Sequence, residues 1–457
     1  MTVRGTDAAG LRAALDELGW KPDSLARRLN LLAASNGRAE RVHPKTPYKW
    51  LRGEHPHAPW PGLCAALLSE ALGRPVAATA LGWTGDGVEC IPADTGLHLP
   101  WTAAGGLQAA RLVVNPGLVE RRVFLTLVGA AVTPPALEWL IAGPATDLAR
   151  PGRAPLPISL VDQIDQVTDG LRKIDDQLGG GPLLGVVREH IRYVTDLIDN
   201  RRYDDTIGRR LHTALAELLR LAGFVAFDSG QHPQAQRFWI AGLRAAHSAG
   251  DKALGANILG FMSCQAKDLG QYREAVTLAQ TARHGYPGAT PKVAAILDLR
   301  VAEAHANDRD VDACRAAIDA AFAQLDGDNA SYGAPGWCYW LDPAQAHAQA
   351  GYCYVRLEDW PRARSHLRNA LRLQDSQFSR EAALRNVLLA TTYARQGQPD
   401  PDQAAALGSQ AVQALSDQVE SSRCVGHVAR LISDLTPYAR RPAVREFREQ
   451  ARMLLQA

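Results

Sequence analysis

The residues of this chain that could do chemistry are concentrated in one short segment, Lys45-Thr46-Pro47-Tyr48-Lys49-Trp50-Leu51-Arg52-Gly53. The segment combines cationic side chains, which pair with anions, with hydroxyl groups, which donate and accept hydrogen bonds. Pro47 favours the first turn of a helix and Gly53 favours its end, so the segment predicts a short helix. A Leu-rich helix precedes it, and a short basic helix in that position can place its side chains in the major groove of DNA.

Trp50 and Gly53 form a Trp-x-x-Gly pattern, and the pairs Leu72-Gly73 and Leu81-Gly82 end the helices that follow. With these features the segment resembles the recognition helix of the phage-repressor-like helix-turn-helix family. The resemblance implies that three side chains face base edges: Thr46, Tyr48 and Lys49. It implies that four cations meet phosphate groups: Lys45, Arg52, Arg27 and Arg28. It also implies that Trp50 and Leu51 pack inward.

The loop before this helix departs from that family. It spans residues 35–44, whereas the turn of a helix-turn-helix has about three or four residues. Because the loop carries Arg38, Arg41 and His43, it could contact the DNA backbone. It could equally belong to a degenerate helix-turn-helix that serves as an interaction module and no longer reads DNA.

No sequence pattern indicates catalysis or a bound metal. The residues His43, His55, His57 and Cys64 lie close together, but their spacing fits no zinc site. Gly179-Gly180-Gly181 lacks the Gly-Lys-Ser/Thr that follows in a phosphate-binding loop, and no GxSxG, HExxH or EF-hand pattern occurs. We therefore expect no catalytic residues, no metal and no cofactor in a protein that is not an enzyme.

A pattern of small residues returns several times in the C-terminal half. Five alanines align its copies at separations of 40, 38, 50 and 42 residues: Ala235, Ala275, Ala313, Ala363 and Ala405. Such a period predicts stacked helix hairpins. The pattern resembles tetratricopeptide repeats over roughly residues 210–430, although their usual period is about 34 residues. The third copy has Asp308-Arg309-Asp310 in place of a turn glycine and is degenerate.

The resemblance to tetratricopeptide stacks implies a ligand groove along the concave face, which the first helix of each hairpin lines. Two asparagines on predicted first helices could both donate to and accept from a peptide bond, Asn257 and Asn386. Three further polar residues belong to the same candidate set: Arg300, Gln349 and Arg385. An insertion at residues 327–343 adds Trp337 and Trp340, either as a second ligand wall or as a plug that caps the insertion.

Length and composition suit an all-α protein of two or three domains. Of the 457 residues, 46% are hydrophobic and only 6% are aromatic, which favours packed helices over sheets. We expect a helix-turn-helix domain at residues 1–83, then a linker at residues 84–157 with an apolar helix near residues 121–142. A tetratricopeptide-like α-solenoid is expected at residues 158–457. The net charge is +2, but residues 1–83 carry 11 Lys and Arg against 7 Asp and Glu, a mild basic bias.

Other features predict a cytoplasmic location. The seven cysteines are dispersed and form no CxxC pattern, which is typical of free thiols in a reducing compartment. The N-terminus lacks the apolar region of a signal peptide, and no apolar run approaches the ~18 residues needed to span a bilayer. Arg outnumbers Lys by 43 to 7, which indicates a GC-rich bacterial genome. We expect no membrane contact.

Together the two halves resemble the helix-turn-helix/tetratricopeptide transcriptional regulators of actinobacteria and, more distantly, the peptide-sensing quorum receptors of Gram-positive bacteria. The segments Arg121-Arg122-x-Phe124-Leu125 and Pro135-Ala136-Leu137-Glu138-Trp139-Leu140 resemble the joint segment of the actinobacterial group. The resemblance implies a homodimer that binds a double-stranded DNA operator and senses a peptide, small molecule or protein in its solenoid groove. The alternative is a tetratricopeptide-repeat interaction protein with a degenerate helix-turn-helix.

Overall fold

The computed structural model describes residues 9–35, 41–57, 60–72, 76, 81, 83, 99–114, 132–145, 148–151, 154–178, 183–288, 290–327, 332–374, 379–416 and 422–456. These residues form 20 α-helices and no β-strand, so the predicted all-α fold is confirmed. They divide into two units, which are described separately: unit 1 holds the described residues up to 83, and unit 2 those from 99 onward. No α-helix among them is long and apolar enough to cross a membrane.

Unit 1 contains four helices: α1 (Ala9–Leu18), α2 (Pro22–Ser35), α3 (Thr46–Trp50) and α4 (Trp60–Leu72). Its core consists mainly of buried leucines on α1, α2 and α4: Leu11, Leu15, Leu25, Leu29, Leu63 and Leu68. Trp50, at the end of α3, completes this core and packs edge-on against Trp83, with ring centroids 5.8 Å apart. Because a helix of this length is unstable by itself, the buried indole is what holds α3 in place.

Unit 2 begins with α5 (Ala103–Val114), α6 (Pro134–Ile141), α7 (Ile158–Leu178) and α8 (Leu183–Asn200). Helices α5 and α6 lie within the segment that the sequence assigns to a linker. Of the predicted apolar helix near residues 121–142, the part before residue 132 lies outside the described residues, and the rest contains α6.

Six helix hairpins follow, each packed against the next. Their helices are α9 (Asp205–Asp228) and α10 (His232–Ala249), α11 (Lys252–Asp268) and α12 (Tyr272–Gly285), α13 (Pro291–Asp308) and α14 (Val311–Leu325), α15 (Pro343–Arg356) and α16 (Trp360–Leu373), α17 (Ser379–Arg395) and α18 (Pro401–Ser416), and α19 (Ser422–Asp434) and α20 (Pro442–Gln456). The predicted stack of hairpins is confirmed.

The third hairpin keeps the turn geometry of the others without a turn glycine. Gly230 and Gly270 have φ angles of 75° and 78°, and Arg309 takes the equivalent left-handed conformation at 67°. This conformation is costly for a residue with a side chain. The next residue, Asp310, accepts a hydrogen bond from the N–H of Ala313 at 3.1 Å and caps α14. The copy is therefore degenerate in sequence but regular in backbone.

The same turn shows that one alignment position is wrong. A fully buried small residue lies five positions after the left-handed residue in each of the first three hairpins: Ala235, Ala275 and Cys314. Ala313 is only half-buried. The sequence alignment chose the alanine because of its type, whereas packing selects the neighbouring cysteine, which is also small and apolar when buried.

The first hairpin depends on a close approach at Gly223. A Cβ atom at this position would lie 2.3 Å from Nε1 of Trp239. The indole of Trp239 is fully buried, and its N–H donates to the carbonyl of Arg220 at 3.1 Å. The same ring stacks on Phe261 of the second hairpin at 6.0 Å, so one side chain fills space within its own hairpin and between hairpins.

Helix α6 is seated on the solenoid by Trp139. Cβ atoms at Gly255 and Gly285 would lie 2.7 Å and 2.2 Å from its indole, so the ring rests on backbone that carries no side chain. On α10, the buried guanidinium of Arg244 lies 4.5 Å from the ring centroid of Trp101. The chain just before α5 and helix α6 are thus part of the packed body of unit 2.

Gly223→Ala is expected to destabilise unit 2 by about 1–3 kcal/mol, because the added methyl group must displace a buried indole. Gly185→Ala is the matched control. Gly185 is exposed on α8, and nothing lies within 4 Å of a Cβ built there, so this change should leave stability unchanged or raise it by up to about 1 kcal/mol. Denaturant unfolding followed by circular dichroism measures both. Equal stability of Gly223→Ala and the wild type would contradict the close approach.

Candidate functional site

Helix α3 and the residues on either side of it present four of the seven residues predicted to bind DNA to solvent. Pro47 and Trp50 are buried and anchor one side of the helix. Thr46 is half-buried at its start. Four residues of the predicted set are exposed: Lys45, Tyr48, Lys49 and Arg52. Buried and exposed side chains lie on opposite sides of this single helical turn. The packing of Trp50 therefore determines that Tyr48 and Lys49 point toward solvent.

Two of the cationic side chains predicted to contact DNA, Arg27 and Lys49, form weak ion pairs with nearby carboxylates. The ammonium group of Lys49 lies 3.7 Å from the carboxylate of Glu54, and their side chains are 58% and 62% exposed. Arg27 lies 3.7 Å from Asp23 one turn earlier on α2. Exposed pairs of this kind contribute at most about 1 kcal/mol, so a phosphate group can replace the carboxylate at little cost.

A groove of about 330 Å³ lies beside α3. It is lined by eight residues: Arg12, Leu15, Asp16, Trp20, Pro22, Tyr48, Leu51 and Arg52. The groove brings Tyr48 and Arg52 together, and Arg28 adjoins it because its guanidinium lies 4.2 Å from the ring centroid of Trp20. Its lining mixes aromatic, aliphatic and charged groups.

One side chain that the sequence did not single out fastens the long loop to α2. The amide of Asn30 donates to the carbonyl of Val42 at 2.8 Å and accepts from the N–H of Val42 at 2.7 Å. Residues 36–40 lie outside the described residues, but the chain after them is fixed four residues before α3. An asparagine inside a Leu-rich helix is the available signal, because its side chain competes with helical hydrogen bonds.

In unit 2 the structure brings Arg300 and Trp340 together. The guanidinium carbon of Arg300 lies 5.6 Å from the ring centroid of Trp340 and 5.5 Å from that of Phe261. Asn257 is one helical turn before Phe261 on α11, so the two share a helix face. Asn257 and Trp337 are buried, at 2% and 3% exposed. These four predicted ligand residues therefore belong to the first three hairpins and the insertion that follows them.

Three other residues of the predicted ligand set lie farther along the solenoid. Arg385 of α17 is buried and donates to the side-chain oxygens of Gln345 at 2.8 Å and Gln374 at 2.7 Å. It thereby joins α17 to α15. Gln349 is one turn beyond Gln345 on α15, and Asn386 is half-buried on α17. The sequence did not separate this group from the one around Arg300.

The inserted segment lies across the face formed by the first helices. We name residues 334–341 the strap; they include a 3₁₀ turn, Gly336–Trp340. A Cβ at Gly336 would lie 3.9 Å from the guanidinium of Arg172 on α7. Burial raises the pKa of the Cys338 thiol to about 12, and the charges of Lys292, Arg220 and Asp251 act on this thiol. With Trp340 on Arg300, the strap reaches from α7 to α13.

Arg300 belongs to a buried ion cluster with Glu303 and Lys267. The sequence did not predict this cluster. The carboxylate of Glu303 accepts from Lys267 at 2.7 Å and from Arg300 at 3.0 Å. Burial would raise the pKa of Glu303, but the two cations outweigh burial and lower the pKa to about 2. The ammonium of Lys267 also lies 3.0 Å from Asp268 and 4.7 Å from the ring centroid of Tyr352. The cluster therefore stays charged at neutral pH.

A family model described as the SP15 N-terminal domain matches residues 11–84, which include most of α1 and the whole of α2, α3 and α4. No curated protein matches the chain.

Glu303→Gln is expected to destabilise unit 2 by about 3–5 kcal/mol, because two buried cations lose the charge that compensates them. The matched control is Arg441→Ala, which removes the exposed pair with Asp402 and should cost at most about 1 kcal/mol. The free energy of unfolding from urea titrations compares the two. A loss for Glu303→Gln no larger than that for the control would show that the cluster is not needed for stability.

Proposed function

We propose that this protein is a cytoplasmic DNA-binding transcriptional regulator whose solenoid senses a peptide, small molecule or protein. The proposal rests on the exposure of polar side chains on and beside α3. Its aromatic anchor is buried while Lys45, Tyr48, Lys49 and Arg52 are exposed together. Cationic and hydroxyl groups on and beside one short helix are suited to phosphate oxygens and base edges.

The arrangement around α3 supports DNA as the partner. Two of the exposed cations among the described residues there, Arg27 and Lys49, pair with carboxylates at 3.7 Å, and such exposed pairs are weak. Arg27 and Arg28 on α2 extend the cationic surface beyond α3. Because the two bonds of Asn30 fix the loop backbone at Val42, α3 would meet DNA with a preset orientation.

The solenoid supplies the sensing half of the proposal. Arg300 of α13 lies against Phe261 of α11, and Asn257 lies one helical turn before Phe261, so first helices present cationic, aromatic and hydrogen-bonding groups. A ligand that binds one arrangement of the hairpins better than another shifts the population toward it. In a homodimer, such a shift would change whether two α3 helices fit half-sites one helical turn apart.

The groove beside α3 favours a second candidate, a protein-interaction module. Trp20, Pro22, Leu15 and Leu51 give this groove an apolar part, and apolar surface beside an exposed aromatic is typical of protein partners. In that case the solenoid would dock one protein and unit 1 another. Sequence-specific DNA binding distinguishes the two candidates.

Lys49→Ala is expected to weaken binding to a preferred DNA fragment by about 1–3 kcal/mol, because one base contact is lost. Arg52→Ala should weaken binding to all sequences alike and reduce the salt dependence by about one counterion. The fragment is obtained by sequencing genomic DNA retained by the purified protein, and affinity is measured by fluorescence anisotropy at several salt concentrations.

Lys173→Ala is the matched control, because Lys173 is an exposed lysine of α7 in unit 2. It should leave the affinity for the fragment unchanged. If the wild-type protein retains no preferred sequence at moderate salt, DNA recognition is wrong and the interaction-module candidate replaces it.

A further inference from the structure

The strap lies against the first helices of the solenoid, where its Trp340 contacts the predicted ligand residue Arg300. Trp337, Cys338 and Leu341 are almost completely buried, and they belong to the same hydrophobic core as α9, α11 and α13. Tyr339 is 41% exposed. In a 3₁₀ helix, residues three apart lie on one side, so Trp337 and Trp340 face the hairpins together. The strap therefore behaves as a short peptide bound by its own chain.

Arg300 provides the recognition surface for one of these indoles. Its guanidinium contacts Trp340 and Phe261, and cation–π attraction is favourable where water is largely excluded. The side chain is only 12% exposed, and its bond to Glu303 holds it in place. A Cβ at Gly260 would lie 3.2 Å from the Arg300 side chain, so the guanidinium stem rests close to the α11 backbone. This platform fits a planar aromatic group.

The strap leaves hydrogen-bonding capacity unused. Among the described residues, nothing accepts a hydrogen bond from Nδ2 of Asn257 or from Nε1 of Trp337, and both residues are more than nine-tenths buried. A buried donor without a partner costs about 1–3 kcal/mol. A bound segment that offered a carbonyl oxygen to Asn257 would therefore gain a contact that the strap does not make.

We propose that the strap is a built-in occupant of the solenoid groove. Its competitor is a peptide segment with two aromatic side chains three residues apart and a carbonyl acceptor for Asn257. The inference rests on the ligand-sensing role proposed for the solenoid, and it names the ligand class and the regulation of that site. Because the strap is tethered, its effective concentration is high and it lowers the apparent affinity of every competitor. Binding requires its displacement.

The test supplies the strap in trans. In the full-length chain, residues 334–341 are replaced by an eight-residue Gly-Ser sequence that stops before Asp342, whose carboxylate caps α15. The probe is a synthetic peptide of residues 332–342 with Cys338→Ser and a fluorescent label. We expect it to bind the strap-replaced protein at least about tenfold more tightly than the wild type, because the tethered competitor is gone. A peptide that also carries Trp337→Ala and Trp340→Ala should lose this binding.

A second variant keeps the proposal testable if the strap-replaced protein does not fold. Trp340→Ala keeps the strap but removes its contact with Arg300, so the probe should bind this protein more tightly than the wild type. Circular dichroism and thermal unfolding establish that both proteins are folded. Absence of binding to the folded variants, or equal binding to wild type and variants, overturns the proposal. Binding that survives the loss of both tryptophans overturns the assigned ligand class.

The peptide-binding experiment tests the strap proposal separately from DNA recognition. The peptide measurement contains no nucleic acid, so its failure contradicts the strap proposal and leaves DNA recognition as it stands. Failure of the wild-type protein to retain a preferred DNA sequence contradicts DNA recognition and leaves the peptide result as it stands.

Discussion

The arrangement of the solenoid groove around Arg300 depends on the ion pairs of the buried Glu303 carboxylate. This carboxylate holds Lys267 of α11 and Arg300 of its own helix, and so it joins two neighbouring hairpins through charge. Burial of any one of these charges would be unfavourable by itself. Together they compensate each other, and the pKa of Glu303 falls to about 2, so the compensation persists at neutral pH. The orientation of Arg300 against Phe261 and Trp340 follows from this arrangement.

Packing constraints of a different kind hold the surrounding solenoid. The indole of Trp239 needs a position without a side chain at Gly223, and Trp139 needs two such positions, at Gly255 and Gly285. Each ring fills the space that a side chain at the glycine would take, and dense packing leaves no room for an added methyl group. The first three hairpins and α6 thus share one hydrophobic core, and the strap adds Trp337, Cys338 and Leu341 to it.

In unit 1, a few contacts hold the short helix α3 and the loop before it in place. Helix α3 has too few residues to be stable by itself, so burial of Pro47 and Trp50 must fix it. The two bonds from Asn30 to Val42 fix the chain before it. These restraints leave the other side of α3 exposed. The match to the SP15 N-terminal domain covers this unit and none of the hairpins.

The sequence by itself determined the all-α fold, the hairpin period and the basic character of α3, because these follow from local spacing and residue type. It missed the register of the third copy, since Cys314 and not Ala313 meets the neighbouring helices. Only the tertiary structure decided which polar residues share a site. Lys267 and Glu303 are 36 residues apart, and Arg300 and Trp340 are 40 apart. Such pairs are brought together by helix stacking and by the course of the strap, and a periodic pattern carries no information about either.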